Sequence, residues 1–183
     1  MAFEHYIYAD GKQLRCGYTT GTCAALAASG AVQRLLTGVW PETVSLRTPK
    51  GLTVEVPLEH CRVQGDTAQC SVRKDGGDDV DKTTGALIQA NVSLSDTPGI
   101  RIRGGQGVGR VTKPGLDQPV GGAAINRVPR QMIREAVEAA CRTADYDGGA
   151  EVTISVPEGE AIAQKTFNPQ MGIVGGISIL GTS

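Results

Sequence analysis

The sequence predicts an α+β fold, a mixed β-sheet with two main helices packed against it. Three observations carry this expectation. Apolar residues recur at helical spacing in two stretches, near residues 20–36 and 129–140. Several other stretches alternate apolar and polar residues, the period of a half-buried strand. The composition is 40% apolar with only 4% aromatic and 25 glycines. A core of Ala, Val, Ile and Leu results, with glycines spent on tight loops and close backbone approaches.

The elements follow in order. Thr19, Thr20 and Thr22 supply hydroxyl caps around Gly21, and the run Cys23 to Ala28 is a strong helix former. Apolar positions continue through Ala31, Val32, Leu35 and Leu36, and Gly38 is the predicted stop. Small side chains let this helix lie very close to a sheet. Thr43 to Arg47 and Leu52 to Leu58 flank a turn at Pro49, Lys50 and Gly51. Thr67 to Arg73 alternates with Ala68, Cys70 and Val72 inward, and Ala86 to Leu94 alternates again.

From Gly99 to Val128 glycine and proline dominate, which predicts a loop-rich region with Ile100, Ile102, Val108 and Val111 as anchors. Pro129 opens the second helix, which runs through Met132, Ile133, Ala136, Val137 and Ala140. Glu151 to Pro157 is an alternating strand, and a short helix over roughly Glu158 to Lys165 closes at Asn168 and Pro169. The last stretch, Gly172 to Gly181, is apolar and glycine-rich where a domain terminus is normally polar, so the expectation is a cut chain. Residues 1–183 are expected to form one α+β domain.

Bulk properties exclude several functions. A net charge of −1 gives no field for nucleic acid or an anionic membrane. The five cysteines include no C-x-x-C pair, which argues against a disulfide framework and a zinc ribbon, and no metal site is expected. No apolar run reaches membrane-spanning length, and Glu4, His5 and Asp10 interrupt any signal peptide. The expected location is the cytoplasm. A homo-oligomer stays open.

Three motifs carry candidate chemistry. The glycine-rich entry to the first helix, with Thr19, Thr20, Gly21 and Thr22, offers backbone N–H donors and the positive end of the helix dipole to an anion. An ordinary capped helix is the competing reading. Asp75, Asp78, Asp79 and Asp81 crowd one short loop without the spacing of a calcium loop. They suit proton transfer or a cationic partner, and a solvated turn competes. Arg103, Gly104, Gly105 and Lys113 belong to a loop that matches neither a dinucleotide fingerprint nor a P-loop, which leaves a grip on an anionic ligand.

Taken together and in order, RCGYTTGTCAALAA, KDGGDDVDKT, IRGGQGVGRVTKPGL, the helix from Asn126 with its P-R-x-M-I-R-E-A run, VTISVPEGE and KTFNPQMGIVGGISILGT resemble the cobalt-precorrin-5B (C1)-methyltransferase family. The resemblance covers nearly everything from Arg15 to Thr182, and it implies that residues 1–183 are the N-terminal half of a longer two-domain enzyme whose C-terminal half is absent. It implies transfer of the methyl of S-adenosylmethionine to C-1 of a tetrapyrrole substrate, cobalt-precorrin-5B, giving cobalt-precorrin-6A in anaerobic cobalamin biosynthesis. On that footing Asp75, Asp78 and Asp79 are the catalytic candidates. Thr19, Thr20, Gly21, Thr22, Arg103, Gly104, Gly105, Lys113, Asn126 and Arg127 are the candidates for holding substrate or cofactor. Two other readings compete: a tetrapyrrole-binding module that is inactive by itself, and a phosphate-binding domain like those of the galactokinase–mevalonate kinase type.

Overall fold

The structure, a computed structural model, describes residues 3–181. It opens with a hairpin, β1 (Tyr6–Ala9) and β2 (Lys12–Arg15), turned by Asp10 and Gly11. Both turn residues have positive φ, at 50° and 74°, as a tight two-residue hairpin requires. Helix α1 (Thr20–Thr37) follows. Thr19 caps it, its hydroxyl accepting from the Thr22 N–H, and Gly38 ends it at φ 80° with its N–H on the Arg34 carbonyl.

Strands β3 (Thr43–Arg47) and β4 (Thr53–Pro57) form a hairpin of their own. Then come β5 (Glu59–Gln64), β6 (Thr67–Arg73), β7 (Leu87–Ser95), β8 (Ile100–Gly104), β9 (Gly107–Val108) and β10 (Arg110–Val111). Helix α2 (Arg127–Thr143) leads to β11 (Gly149–Ser155). Two short helices, α3 (Gly159–Ala163) and α4 (Asn168–Met171), and two short strands, β12 (Ile173–Val174) and β13 (Gly176–Ile177), complete the chain.

The main sheet has the order β5-β6-β7-β11-β8. It is antiparallel as far as β11, and β8 lies parallel to β11. A parallel neighbour needs a crossover, and the segment carrying α2 supplies it. The sheet is therefore mixed, and both long helices lie on one side of it. Ala68, Cys70, Val72, Ile88, Ala90, Val92, Ala150, Val152 and Ile154 are fully buried on that side. The residues between them, such as Gln69, Gln89, Asn91 and Thr153, face away.

Helix α1 is the centre of the core. From Thr20 to Val32 every residue is buried around the whole circumference, between the sheet and α2. A helix enclosed on all sides must be apolar all round, and the alanines allow the close approach.

The glycine-rich region departs from the expected loop, since it holds β8, β9 and β10. Ile100 and Ile102 alternate with Arg101 and Arg103 and so build a strand edge. Beyond them the glycines permit contact between backbones. Gly107 has φ 75°, and a Cβ there would stand 1.7 Å from the Val156 carbonyl oxygen. Gly159 and Gly176 press against the same residue, so three segments meet at one point. Helix α2 begins two residues earlier than expected, with Pro129 inside its first turn. The predicted helix near 158–165 is shortened to α3, and α4 follows it. Among the described residues, no helix is long and apolar enough to cross a membrane.

Candidate functional site

The N-terminal hairpin and the acidic loop are interlocked. Arg15 donates from Nη1 and Nη2 to the two carboxylate oxygens of Asp75, at 2.7 and 2.9 Å. The Arg15 N–H bonds the Asp78 carboxylate at 2.7 Å, and the Asp78 N–H returns to the Arg15 carbonyl at 2.9 Å. Cys16 and Gly77 pair as an antiparallel bridge, and the Tyr18 N–H donates to the Asp75 carbonyl. Gly17 and Gly77 make this possible. A Cβ at Gly17 would lie 2.2 Å from Gly76, and one at Gly77 2.2 Å from the Arg15 carbonyl.

The carboxylates thus have different surroundings. The Arg15 guanidinium holds the Asp75 carboxyl below its usual range, against partial burial and with help from the Gly77 N–H. Burial acts to raise the Asp81 carboxyl, but hydrogen bonds from Lys74 and Thr83 outweigh it and bring it below its usual value. Lys74 is itself only 5% exposed, and it makes an ion pair with Asp81. Asp79 is exposed, and its side chain makes no hydrogen bond or ion pair with another described residue.

Beside this clamp lies a cleft of about 380 Å³, lined by Phe3, Tyr18, Glu59, Arg73, Lys74 and Asp75 among others. Tyr18 stacks edge-on against Phe3 at 5.9 Å and donates its hydroxyl to the Arg73 carbonyl. Burial, the largest cause, pushes the Tyr18 phenol well above its usual value. A larger groove of about 530 Å³ runs between α1, α2 and β3 and contains none of the predicted site residues.

The start of α1 differs from the expected open anion cradle. Thr20, Gly21 and Thr22 are buried. The Gly21 N–H donates to the Leu180 carbonyl at 2.7 Å, the Thr22 N–H to Thr19, and the Leu180 N–H to the Thr20 hydroxyl. Residues 179–181 therefore occupy the position assigned to a ligand. They also reach the start of α2, where the Asn126 N–H donates to the Ile179 carbonyl and a Cβ at Gly21 would meet Pro129 at 2.8 Å. The two helix starts are adjacent. Asn126 makes no side-chain cap bond, and Arg127 is exposed with its N–H on Asp117.

The remaining candidates lie elsewhere. Arg103 projects from the face of the sheet away from the helices, 3.8 Å from Glu151. Gly104 lies against Ala123 on the helix side, whereas Gly105 lies against Ser155 and Thr153 on the outer side. Lys113 extends along Gly172 and donates to the Gln170 carbonyl at 3.2 Å. The predicted set is thus divided among the clamp, the paired helix starts and the outer sheet face.

With that geometry in place, the similarities decide the family. The CbiD family model matches residues 7–183. The chain belongs to the CbiD family. It is 56% identical over 171 residues to the cobalt-precorrin-5B C(1)-methyltransferase of Geobacillus kaustophilus (strain HTA426), covering 93% of this chain and 46% of that protein. The protein of the same name from Ruminiclostridium cellulolyticum is 49% identical over 180 residues, with 98% and 47% covered. A crystal structure of the cobalamin biosynthesis protein (cbiD) from Archaeoglobus fulgidus superposes with a TM-score of 0.72 at 38% identity, covering 97% of this chain and 56% of that one. The chain spans about half the length of the curated relatives it matches.

Several residues of this CbiD chain escaped sequence reasoning. Arg15 and Lys74 border quoted motifs, but nothing local says that they bind the acidic loop. Arg130 was visible only as one of several cations. It is half-buried, and its guanidinium donates to the Ile125 and Ala123 carbonyls at 2.6 and 3.2 Å. Burial lowers its pKa from the usual value, and Arg134 adds to the effect. Phe3 carried no signal beyond its scarcity as an aromatic.

Proposed function

We propose that this CbiD-family chain forms part of a cytoplasmic methyltransferase that acts on C-1 of cobalt-precorrin-5B to give cobalt-precorrin-6A. The observation that carries the reading is the collinear similarity, 49–56% identity across 93–98% of this chain, to proteins bearing that activity in their name. The methyl donor in this reading is S-adenosylmethionine, whose sulfonium supplies an electrophilic methyl when bound. The cleft beside the clamp is the candidate place for it, because Phe3 and Tyr18 line that cleft together with Arg73, Lys74 and Asp75.

Roles within the acidic loop then separate. Asp75 and Asp78 are engaged by Arg15 and orient the loop, whereas Asp79 is the carboxylate left to accept a proton from the macrocycle. With the start of α1 closed by Leu180, the acetate and propionate arms fall to side chains, with Arg103 on the outer sheet face foremost among the candidates. The closed helix start also leaves no phosphate cradle for the kinase-like alternative.

The test is Asp79→Asn in a full-length CbiD-family protein. General-base catalysis contributes roughly 10²–10⁴-fold, so turnover of cobalt-precorrin-5B should fall by at least about a hundredfold. Stability should change by less than about 0.5 kcal/mol, as for an ordinary surface substitution. Unchanged turnover would remove the proton-accepting role from Asp79.

A further inference from the structure

The outer face of the main sheet has no helix over it, and its side chains are unusual for a surface. Across β6, β7 and β11 the outward row reads Gln69, Asn91 and Thr153. The rows beside it read Ser71, Gln89 and Ser155, then Thr67, Ser93 and Glu151. Solvated sheet faces are ordinarily rich in Lys and Glu. Here eight of these nine central positions are uncharged amides or hydroxyls, of which Ser71 and Ser155 are buried and the other six are half-buried. Gln89, Asn91, Ser93 and Thr153 are half-buried, and their side chains make no hydrogen bond or ion pair with another described residue. Such groups hold unused donors and acceptors, aligned on one surface.

Charge is confined mainly to the rims. At the β5 rim, Arg62 donates to the Gln69 amide oxygen at 2.9 Å, while Arg73 is paired with Glu59. At the β8 rim, Arg101 and Arg103 share the single carboxylate of Glu151, at 3.5 and 3.8 Å. Arg62 therefore has an amide rather than a carboxylate as its partner, and the two β8 arginines share one carboxylate. Four strand spacings separate β5 from β8, roughly 19 Å. Gly105 borders the β8 rim without a side chain that would stand over Ser155.

We propose that this face is a binding surface for a broad polycarboxylate, a tetrapyrrole lying across β6, β7 and β11 with its acid arms on the rim arginines. The central amides and hydroxyls donate to the inner arms without adding charge, and the arginines fix the outer ones. The aromatic platforms that stack nucleic-acid bases are missing from these rows, which separates the face from a single-strand binder. The proposal rests on the reading of the chain as part of a tetrapyrrole methyltransferase. It places the substrate on the side of the sheet opposite the two long helices.

The experiment uses a full-length CbiD-family protein carrying this segment, with uroporphyrin III as an octacarboxylate probe and coproporphyrin III as a tetracarboxylate, read by fluorescence titration. Uroporphyrin should bind more tightly, and its affinity should fall as salt rises. Arg62→Ser and Arg103→Ser should each weaken it about tenfold, since each removes one charge-assisted contact. Asn91→Leu should weaken it with little change in salt dependence, and Arg47→Ser, on β3, should leave it unchanged. Thermal melting and S-adenosylmethionine binding are measured alongside. Retained uroporphyrin affinity in Arg62→Ser and Arg103→Ser overturns the proposal. So does a loss accompanied by a lower melting temperature, which marks the face as buried by protein. If the protein binds uroporphyrin through these arginines but does not methylate cobalt-precorrin-5B, the surface stands and the reaction falls. Methylation with an unaltered KM in both variants gives the reverse.

Discussion

Asp75 illustrates how a residue that looks catalytic in sequence acquires a structural task. Its two carboxylate oxygens are taken by the Arg15 guanidinium, and one of them also accepts from the Gly77 N–H. Its folded pKa lies below the ordinary value because of these partners, with Arg15 the largest contributor. The contribution to stability is thus complete above the unfolded value of about 3.9 and is lost as pH falls through the folded pKa. Asp75→Asn should therefore lower the urea midpoint at pH 7. It should also flatten the decline of stability from about pH 4 downwards, measured by urea melts at a series of pH values. Equal acid slopes in wild type and variant would show that the pair is not coupled to folding. Asp78 gives a contrasting case at the same scale. It caps a backbone N–H on an exposed edge, and its loss should cost about 1 kcal/mol or less in the same melts.

Among the elements, glycine placement distinguishes sites where the backbone needs only a left-handed turn from sites where two backbones touch. Gly65 turns β5 into β6 at φ 60° with open space around it, so Gly65→Ala should cost about 1–2 kcal/mol. Gly107 combines φ 75° with a clash into Val156, so Gly107→Ala should exceed about 4 kcal/mol or prevent folding, as judged by circular dichroism melts. A Gly107→Ala protein as stable as Gly65→Ala would deny the three-way junction. The same contrast explains what the sequence disclosed. Helix α1 was legible because Thr19 and Gly38 mark its ends and the alanine-rich run between them is a strong helix former. Strands β6, β7 and β11 were legible because one face is buried. Strand β5 was missed because it is exposed nearly throughout and shows no alternation. Strands β9 and β10 are two residues each, too short for a pattern, and their pairing partners lie some 60 residues away. The site was harder still. The clamp joins Arg15 to Asp75 and the helix start joins Thr20 to Leu180, contacts that only the folded chain creates.

For the molecule as a whole, a single core joins the large elements. Helix α1 packs on β6, β7 and α2, and Ile177 and Ile179 are buried in the same cluster as Cys23 and Val152. A small second cluster of Val111, Ala124 and Ile173 lies under β10 and β12. An arrangement of this kind should unfold cooperatively, with a stability on the order of 5–15 kcal/mol. Trp40, the one tryptophan, packs against the main cluster and reports its loss. Unfolding of the 183-residue chain should therefore follow the same curve by tryptophan fluorescence and by far-ultraviolet circular dichroism. Turnover obeys a stricter requirement than folding. The donor methyl and C-1 must be held in attack geometry, and a misplacement of about 1 Å can cost a hundredfold. This chain spans about half the length of its curated relatives, and its clamp, paired helix starts and outer sheet face are separate surfaces. The 183 residues by themselves should thus fold and bind uroporphyrin III, yet methylate cobalt-precorrin-5B at least about a hundredfold more slowly than a full-length relative. Single-turnover assays with S-adenosylmethionine in excess would measure the difference. Equal rates would mean that the complete reacting geometry lies within these residues, with the clamp and the outer sheet face able to meet one substrate.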